Sequence, residues 1–469
     1  MVIAIVCLIL CSYALIATEH ITHINKATIA LFAGVLAWIL YIATGTDFVM
    51  KMHSDDLAQF VGAAEHTTQD VKAFISTHVF LRYGADFCSL VLYFLATINI
   101  VSVLNSNGCF DFMKTWLLTK NSRRLTWLLV LLTFLISMNL DNLTTTVLML
   151  TLLHRLVREQ RWRMWLGAAI VIAANCGGAV TVIGDLTSLA VWTKGSVTPS
   201  NFSAALILPS LVATIIPTWF ISRKLPEHID PIRPSYTYRG DDSTLPVWQR
   251  WLLLVVGMGG LWFVPTFHRI TMLPPFLGAL CVLGVLWVLH ELMNHKQIHT
   301  EQPMNIAGDR QFQFASLQII MYFVGVYMCV GVMIETGIME SISVWCDEWI
   351  HNIYIMSIAI GAISSVLDNI ALVLTAINIY PVASDVSALA DLDPVYAHAF
   401  LQNGQYWHLI IYSGCIAGCL LPIGNISGYT LMKSEDIDIR WYTAHIMPKV
   451  LLGWGTGLAT YFLVDLLLR

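Results

Sequence analysis

Apolar runs separated by short polar stretches account for most of this chain. Eight runs (1–17, 27–44, 78–104, 202–221, 251–267, 272–292, 314–334 and 446–468) are about long enough to cross a bilayer as helices. Four more apolar stretches are broken by polar residues. SMNLDNLTTT (137–146) interrupts 125–153, and SSVLDN (364–369) interrupts 354–379. NCGGAVTVIGDLTS (175–188) interrupts 165–192, and GCLLPIGNISG (418–428) interrupts 406–432. An ionisable residue at membrane depth is costly and marks a functional site by default. Irregular backbone at that depth is tolerated only where it is buried in protein or lines a cavity.

The flanks set an expected topology. The stretch 125–153 lies between Lys114, Lys120, Arg123 and Arg124 on one side and Arg155, Arg158, Arg161 and Arg163 on the other. Positive charge on both sides places both ends in the cytoplasm, so this stretch reads as a re-entrant helical hairpin. Around 354–379 the flanks are acidic (Glu335, Glu340, Asp347, Glu348; Asp385, Asp391, Asp393), so the second hairpin enters from outside. The expectation is about ten full crossings with both termini outside. Polar segments 45–77, 223–250 and 293–313 read as extramembrane loops and linkers, and 110–118 as an interfacial helix.

Composition agrees with the pattern. Of 469 residues 57% are hydrophobic and 12% charged, and the mean hydropathy is +0.70. That is an all-α polytopic membrane protein with the lipid bilayer as its solvent. The net charge of −5 is small and no basic patch interleaves with aromatics, which argues against nucleic acid. The ten cysteines lack CxxC spacing and read as small buried hydrophobes, Cys415 and Cys419 included. Residues 1–16 lack a basic leader and a cleavage site, so they read as a first span rather than a signal peptide.

Landmarks recur in order. Residues 94–111 match 323–340 in apolar spacing, Asp141-Asn142 matches Asp368-Asn369, and IGDLTS (183–188) matches IGNISG (423–428). With oppositely charged flanks these form two inverted repeats, the mark of a secondary transporter. The expected division is 1–77 (N-terminal spans and an acidic external loop) and 78–225 (first repeat, hairpin 125–154, broken helix 165–192). Then come 226–312 (linker and two spans) and 313–469 (second repeat, hairpin 353–379, broken helix 405–432).

Asp141, Asp185 and Asp368 are the buried acids. A carboxylate taken out of water is neutralised by a proton or by a cation, and competition between the two is exchange. The alternative for Asp141 and Asp368 is an N-cap of the second hairpin helix, and the two roles are compatible. Asn142, Asn369, Asn175 and Asn425 offer carbonyl oxygens, and Thr144, Thr145, Thr187 and Ser188 offer hydroxyls. Every donor is an oxygen, which suits a hard cation. Purely structural roles stay open for the amides, and back-bonding to the helix for Thr146. Glu335 reads as solvated at a span end. His408 reads as an interfacial or packing histidine, with pH sensing as the alternative.

LDNLTTT (140–146), NCGGAVTVIGDLTS (175–188), SSVLDNIALV (364–373) and YWHLIIYSGCIAGCLLPIGNISG (406–428) resemble, in order, the motifs of NhaD-type sodium/proton antiporters. The resemblance runs from about Leu81 to the C-terminus. It implies a non-enzymatic homodimer of the bacterial inner membrane without a cofactor, with a scaffold and a moving transport domain. It further implies sodium or lithium at Asp141, Asp185 and Asp368. Departures are Ser102 and Asn105 where the family has acids, Thr181-Val182 for Ser-Pro, Ala371 for proline, and Asn425 opposite Asp185. The competing class is a related carrier of a dicarboxylate or oxyanion. An intramembrane aspartyl protease would need GxGD, but Val182 stands where its first glycine belongs.

Overall fold

A computed structural model describes residues 2–62, 67–229, 245–298, 306–385 and 392–468. Pro231, Pro234 and Asp391 of the expected linkers and loop lie outside them. Within the described residues the chain is helical, and its strand-like pairings are two isolated bridges, Asn121 with His228 and Ala383 with Leu401.

Helices α1 (Val2–Ala17) and α2 (Lys26–Met52) open the chain, followed by α3 (Ser54–Val61), α4 (Thr68–Ser106) and the short α5 (Phe112–Leu117). The first broken stretch is α6 (Ser122–Ser137) and α7 (Asn142–Leu156), and the next is α8 (Gln160–Gly178) and α9 (Leu186–Thr193). Then come α10 (Pro199–Ser222), α11 (Val247–Thr271), α12 (Pro275–Ile298), α13 (Ile306–Glu335) and α14 (Ile338–Trp349). The second pair of broken stretches is α15 (Ile353–Ser364) with α16 (Asn369–Ala376), and α17 (Gln405–Ala417) with α18 (Ile426–Glu435). Helices α19 (Ile439–His445) and α20 (Met447–Leu468) close the chain. Among the described residues seven helices are long and apolar enough to cross a membrane: α2, α4, α10, α11, α12, α13 and α20.

Several boundaries differ from the apolar runs. Helix α2 continues past residue 44 to Met52 because Gly45 and Val49 stay buried on one face and Gly45 meets Ile75 of α4. Helix α4 starts ten residues before His78, where Thr67 and Asp70 form a capping box, and passes through a π-helical turn at Ile75–Val79. The acidic stretch after Glu335 is helical as α14. Glu335 itself is 5% exposed rather than solvated. Its carboxylate accepts from the hydroxyls of Tyr83 (2.8 Å) and Tyr41 (3.3 Å) and meets His53 Nε2 at 2.8 Å.

The helices pack as two groups. One holds α1–α4 with α11–α13, centred on α2 against α13. A strip of small residues allows that approach: Ala30, Ala33 and Ala37 are buried, and a Cβ on Gly34 would lie 2.8 Å from the Gly325 carbonyl oxygen. The second group holds α6–α10 and α15–α20. At its centre α8 is buried from Trp165 to Gly178 and α17 from Tyr406 to Ala417. Contact between the groups runs chiefly through α13 on α16 and α4 on α9.

Candidate cation site

Four breaks in the helices converge on one place. The α6–α7 and α15–α16 breaks are built alike. Ser137 donates its hydroxyl to the Ala174 carbonyl of α8 at 2.6 Å, and Ser364 donates to the Gly414 carbonyl of α17 at 2.5 Å. Asp141 caps α7 by accepting from Leu143 N and Thr144 N, both at 3.0 Å, and Asp368 caps α16 by accepting from Ile370 N at 3.0 Å. The expected capping role is therefore filled by both acids, alongside any other.

The breaks in α8–α9 and α17–α18 are equally alike. Asp185 and Asn425 hold nearly the same backbone, φ −152° and ψ 155° against φ −152° and ψ 157°. Each break folds back on its own glycine and on the neighbouring hairpin. A Cβ on Gly184 would stand 2.8 Å from the carbonyl oxygens of Gly178 and Ser137, and one on Gly424 would stand 2.6 Å from those of Gly418 and Ser364. Only glycine lets the backbones approach so closely.

Between the breaks lies a cavity of about 20 Å³, lined among others by Asp141, Asn142, Asn175, Asp185, Asn369 and Asn425. That is room for about one water or one bare monovalent cation. Phe94 of α4 and Ile319 of α13 close it from the other helix group. Among the described residues no lysine, arginine or histidine lines it. Asp141 and Asp185 are 9% and 8% exposed, and buried charge must be paired or neutralised.

The two acids differ in their partners. Asp141 uses one oxygen for its cap, and the other takes the Thr144 hydroxyl. Asp185 makes no side-chain cap bond to its helix and accepts instead from the Thr187 hydroxyl. Asn425, in the matching position, spends its side chain on structure, accepting from Gly428 N at 2.6 Å and donating to the Gly418 carbonyl at 2.8 Å. Asn142 donates to Asn175 Oδ1 at 3.3 Å, which ties the first hairpin to α8.

Six of the eleven expected residues thus line one cavity, and Thr144 and Thr187 serve it through the acids. Ser188 stands behind it, donating to the Gly178 carbonyl at 3.3 Å. Thr145 and Thr146 are buried with hydroxyls that bond to no atom among the described residues, so the back-bonding left open for Thr146 is not made. Asp368 lies apart, 2% exposed, with the Lys26 ammonium on its second oxygen.

Two neighbours were not foreseen. Cys415 of α17 lies 3.2 Å from the Thr187 hydroxyl and 3.7 Å from Asp185 Oδ2, so a residue that reads as packing reaches the acid. Ser427 lines the cavity from the start of α18. His408 is buried in α17 rather than at an interface, its Nδ1 3.1 Å from the Tyr461 hydroxyl of α20.

These features define a multi-pass helical membrane protein with a buried, oxygen-lined, ion-sized site. A family model described as citrate transporter (CitMHS) matches residues 13–401, and the chain belongs to that family. It is 27% identical to sodium/proton antiporter 2 of Arabidopsis thaliana over 96% of this chain and 97% of that protein. It is 27% identical to sodium/proton antiporter 1 of the same plant, over 96% of this chain and 70% of that protein. Against the Na(+)/H(+) antiporter NhaD of Vibrio parahaemolyticus identity is 26%, over 84% of this chain and 93% of that protein. All three are named as antiporters, none as an enzyme, and the resemblance read from the motifs is borne out.

Proposed function

We propose that this protein exchanges protons for sodium or lithium across its membrane, with Asp141 and Asp185 alternating between proton and cation. The observation that carries the proposal is the cavity itself: two carboxylates, four amides and, among the described residues, no cationic side chain around room for one ion. When a cation enters, the carboxylic acids give up their protons to water; when it leaves, protons from water take its place on the carboxylates. Proton and cation cannot both satisfy the same buried charge, so movement of one is tied to movement of the other. Relatives named sodium/proton antiporters support the choice of sodium and protons.

The family's description favours a second reading, an anion such as citrate. Four helix N-termini meet near the cavity, and such termini attract anions. Here Asp141, Asp368 and Asn425 already cap three of them, and the fourth begins at Asp185. A di- or tricarboxylate would have to enter against two carboxylates in a space of about 20 Å³. The cation reading is therefore preferred.

Inverted repeats belong to the same proposal. They are supported by the matched serine bonds, caps and glycine contacts of the two halves, and by where the broken helices end. Glu435 at the end of α18 meets His154 at the base of the first hairpin and Arg163 at the start of α8, whereas Lys194 after α9 reaches the Ile377 and Tyr380 carbonyls at the base of the second hairpin. Ten crossings follow if α1 and the pairs α8–α9 and α17–α18 are added to the seven long helices. A homodimer is also proposed, on the family resemblance alone. Relatives in a plant as well as in bacteria widen the expected location beyond the bacterial inner membrane.

The test is dye-quench recovery in everted vesicles. Sodium or lithium should release the proton gradient, and potassium, citrate and dicarboxylates should not. Release by citrate alone would transfer the assignment to the anion reading.

A further inference from the structure

We infer that Lys26 is a built-in cation for Asp368 that keeps the second hairpin out of ion exchange, so that the chain has one exchange centre rather than two. This rests on the exchange reading of the Asp141 and Asp185 cavity. The two hairpin acids are alike in sequence and in capping, and the difference lies in their second carboxylate oxygen. On Asp141 that oxygen takes a hydroxyl from its own helix, Thr144. On Asp368 it takes the ammonium of Lys26, from the other helix group. An ammonium carries the same single positive charge as a sodium ion and fills the same electrostatic need.

Several contacts fix this ammonium in place. Lys26 is the first residue of α2, where Asn25 Oδ1 accepts from Ala27 N at 2.8 Å. Its helix is held to α13 by the small-residue strip around Gly34 and Gly325. From α13, Tyr322 presents its ring 4.6 Å from the ammonium, a cation–π contact. About two turns beyond the second hairpin tip, the Thr375 hydroxyl lies 3.0 Å from the Tyr13 hydroxyl of α1, so α1 and α2 both grip α16. The space left around the pair is about 10 Å³, lined by Glu19, His20, Tyr429 and Ile423 among others. Asp368 is 2% exposed, and its charge is matched without a transported ion. Removing one partner of such a pair exposes the other to an uncompensated buried charge, which a mobile cation would then satisfy.

Equilibrium binding of radioactive sodium to the purified full chain in lipid nanodiscs tests this. The wild type should bind about one sodium per chain, Lys26→Arg the same, and Lys26→Met two. Lys26→Met with Asp368→Asn should return to the wild-type count; Lys26→Gln, which also removes the charge but keeps a polar head, should bind two and decides the matter if Lys26→Met does not fold. Two sodium ions on the wild type, an unchanged count on folded Lys26→Met, or a gain that persists in the double variant would each overturn the inference. If the wild type binds none and Lys26→Met gains one, the role of Lys26 stands while the exchange reading of the first cavity fails.

Discussion

Gly184 is where three strands of backbone meet, and Gly184→Ala turns that meeting into a measurable strain. The new Cβ would lie 2.8 Å from the carbonyl oxygens of Gly178 and Ser137 and 3.0 Å from Gly178 Cα. These are backbone atoms, so no rotamer change relieves the contact. Relief to an ordinary separation requires shifts of roughly 0.5 Å on two sides, and overpacking of this kind costs about 1–3 kcal/mol. The shift also moves Ser137, whose hydroxyl holds the first hairpin to α8, and so changes the shape of the cavity. Fluorescence-detected size exclusion after heating should show a fall in Tm of several degrees, at about 2–4 °C per kcal/mol for chains of a few hundred residues. Half-maximal exchange should need about tenfold more sodium for each 1.4 kcal/mol of strain borne by the cation-bound state. Gly424→Ala should do likewise, since its Cβ would meet the Gly418 and Ser364 oxygens at 2.6 Å. Gly284→Ala is the control: it faces open space, and a helical glycine replaced by alanine gains about 0.5–1 kcal/mol. If Gly184→Ala matched Gly284→Ala in Tm and exchange, the close crossing at the site would be refuted.

Two other perturbations have defined outcomes. Thr187→Val removes a hydroxyl donated to Asp185 that favours the charged, cation-binding form. Half-maximal sodium in the vesicle assay should rise about tenfold, as loss of a bond to a charged group implies, and an unchanged value would remove Thr187 from the site. Glu435→Gln takes the charge from a carboxylate that faces Arg163 Nε at 3.0 Å on both oxygens and His154 at 2.7 Å. Leaving Arg163 unpaired should cost about 3–5 kcal/mol, seen as lost yield and Tm and partly restored by adding Arg163→Met; no restoration would mean the pair is not the cause.

The four breaks were legible because asparagine, aspartate, threonine and glycine stand out inside apolar runs, and their similarity in pairs was legible from Asp141 with Asp368 and Ile183 with Ile423. Six site residues on one cavity follow from those breaks meeting. What sequence patterns could not supply is pairing across distance. Lys26 sits in a short polar turn, 342 residues from Asp368, and nothing local marks it as that acid's partner. Glu335 looks like a solvated end because its partners Tyr41 and Tyr83 lie on other helices and His53 lies between α2 and α3. Cys415 is indistinguishable by residue type from a packing cysteine until α17 is laid against α9. Helix α2 outruns its apolar pattern because only one face of it needs to be buried.

The central claim is that Asp141 and Asp185 together form the exchange centre. Its most direct test is radioactive sodium uptake into proteoliposomes driven by an outward-directed proton gradient, with Asp141→Asn and Asp185→Asn each compared with wild type. Both variants should elute as folded protein, and both should lose proton-driven sodium uptake altogether. Uptake at the wild-type rate by either folded variant would contradict the account.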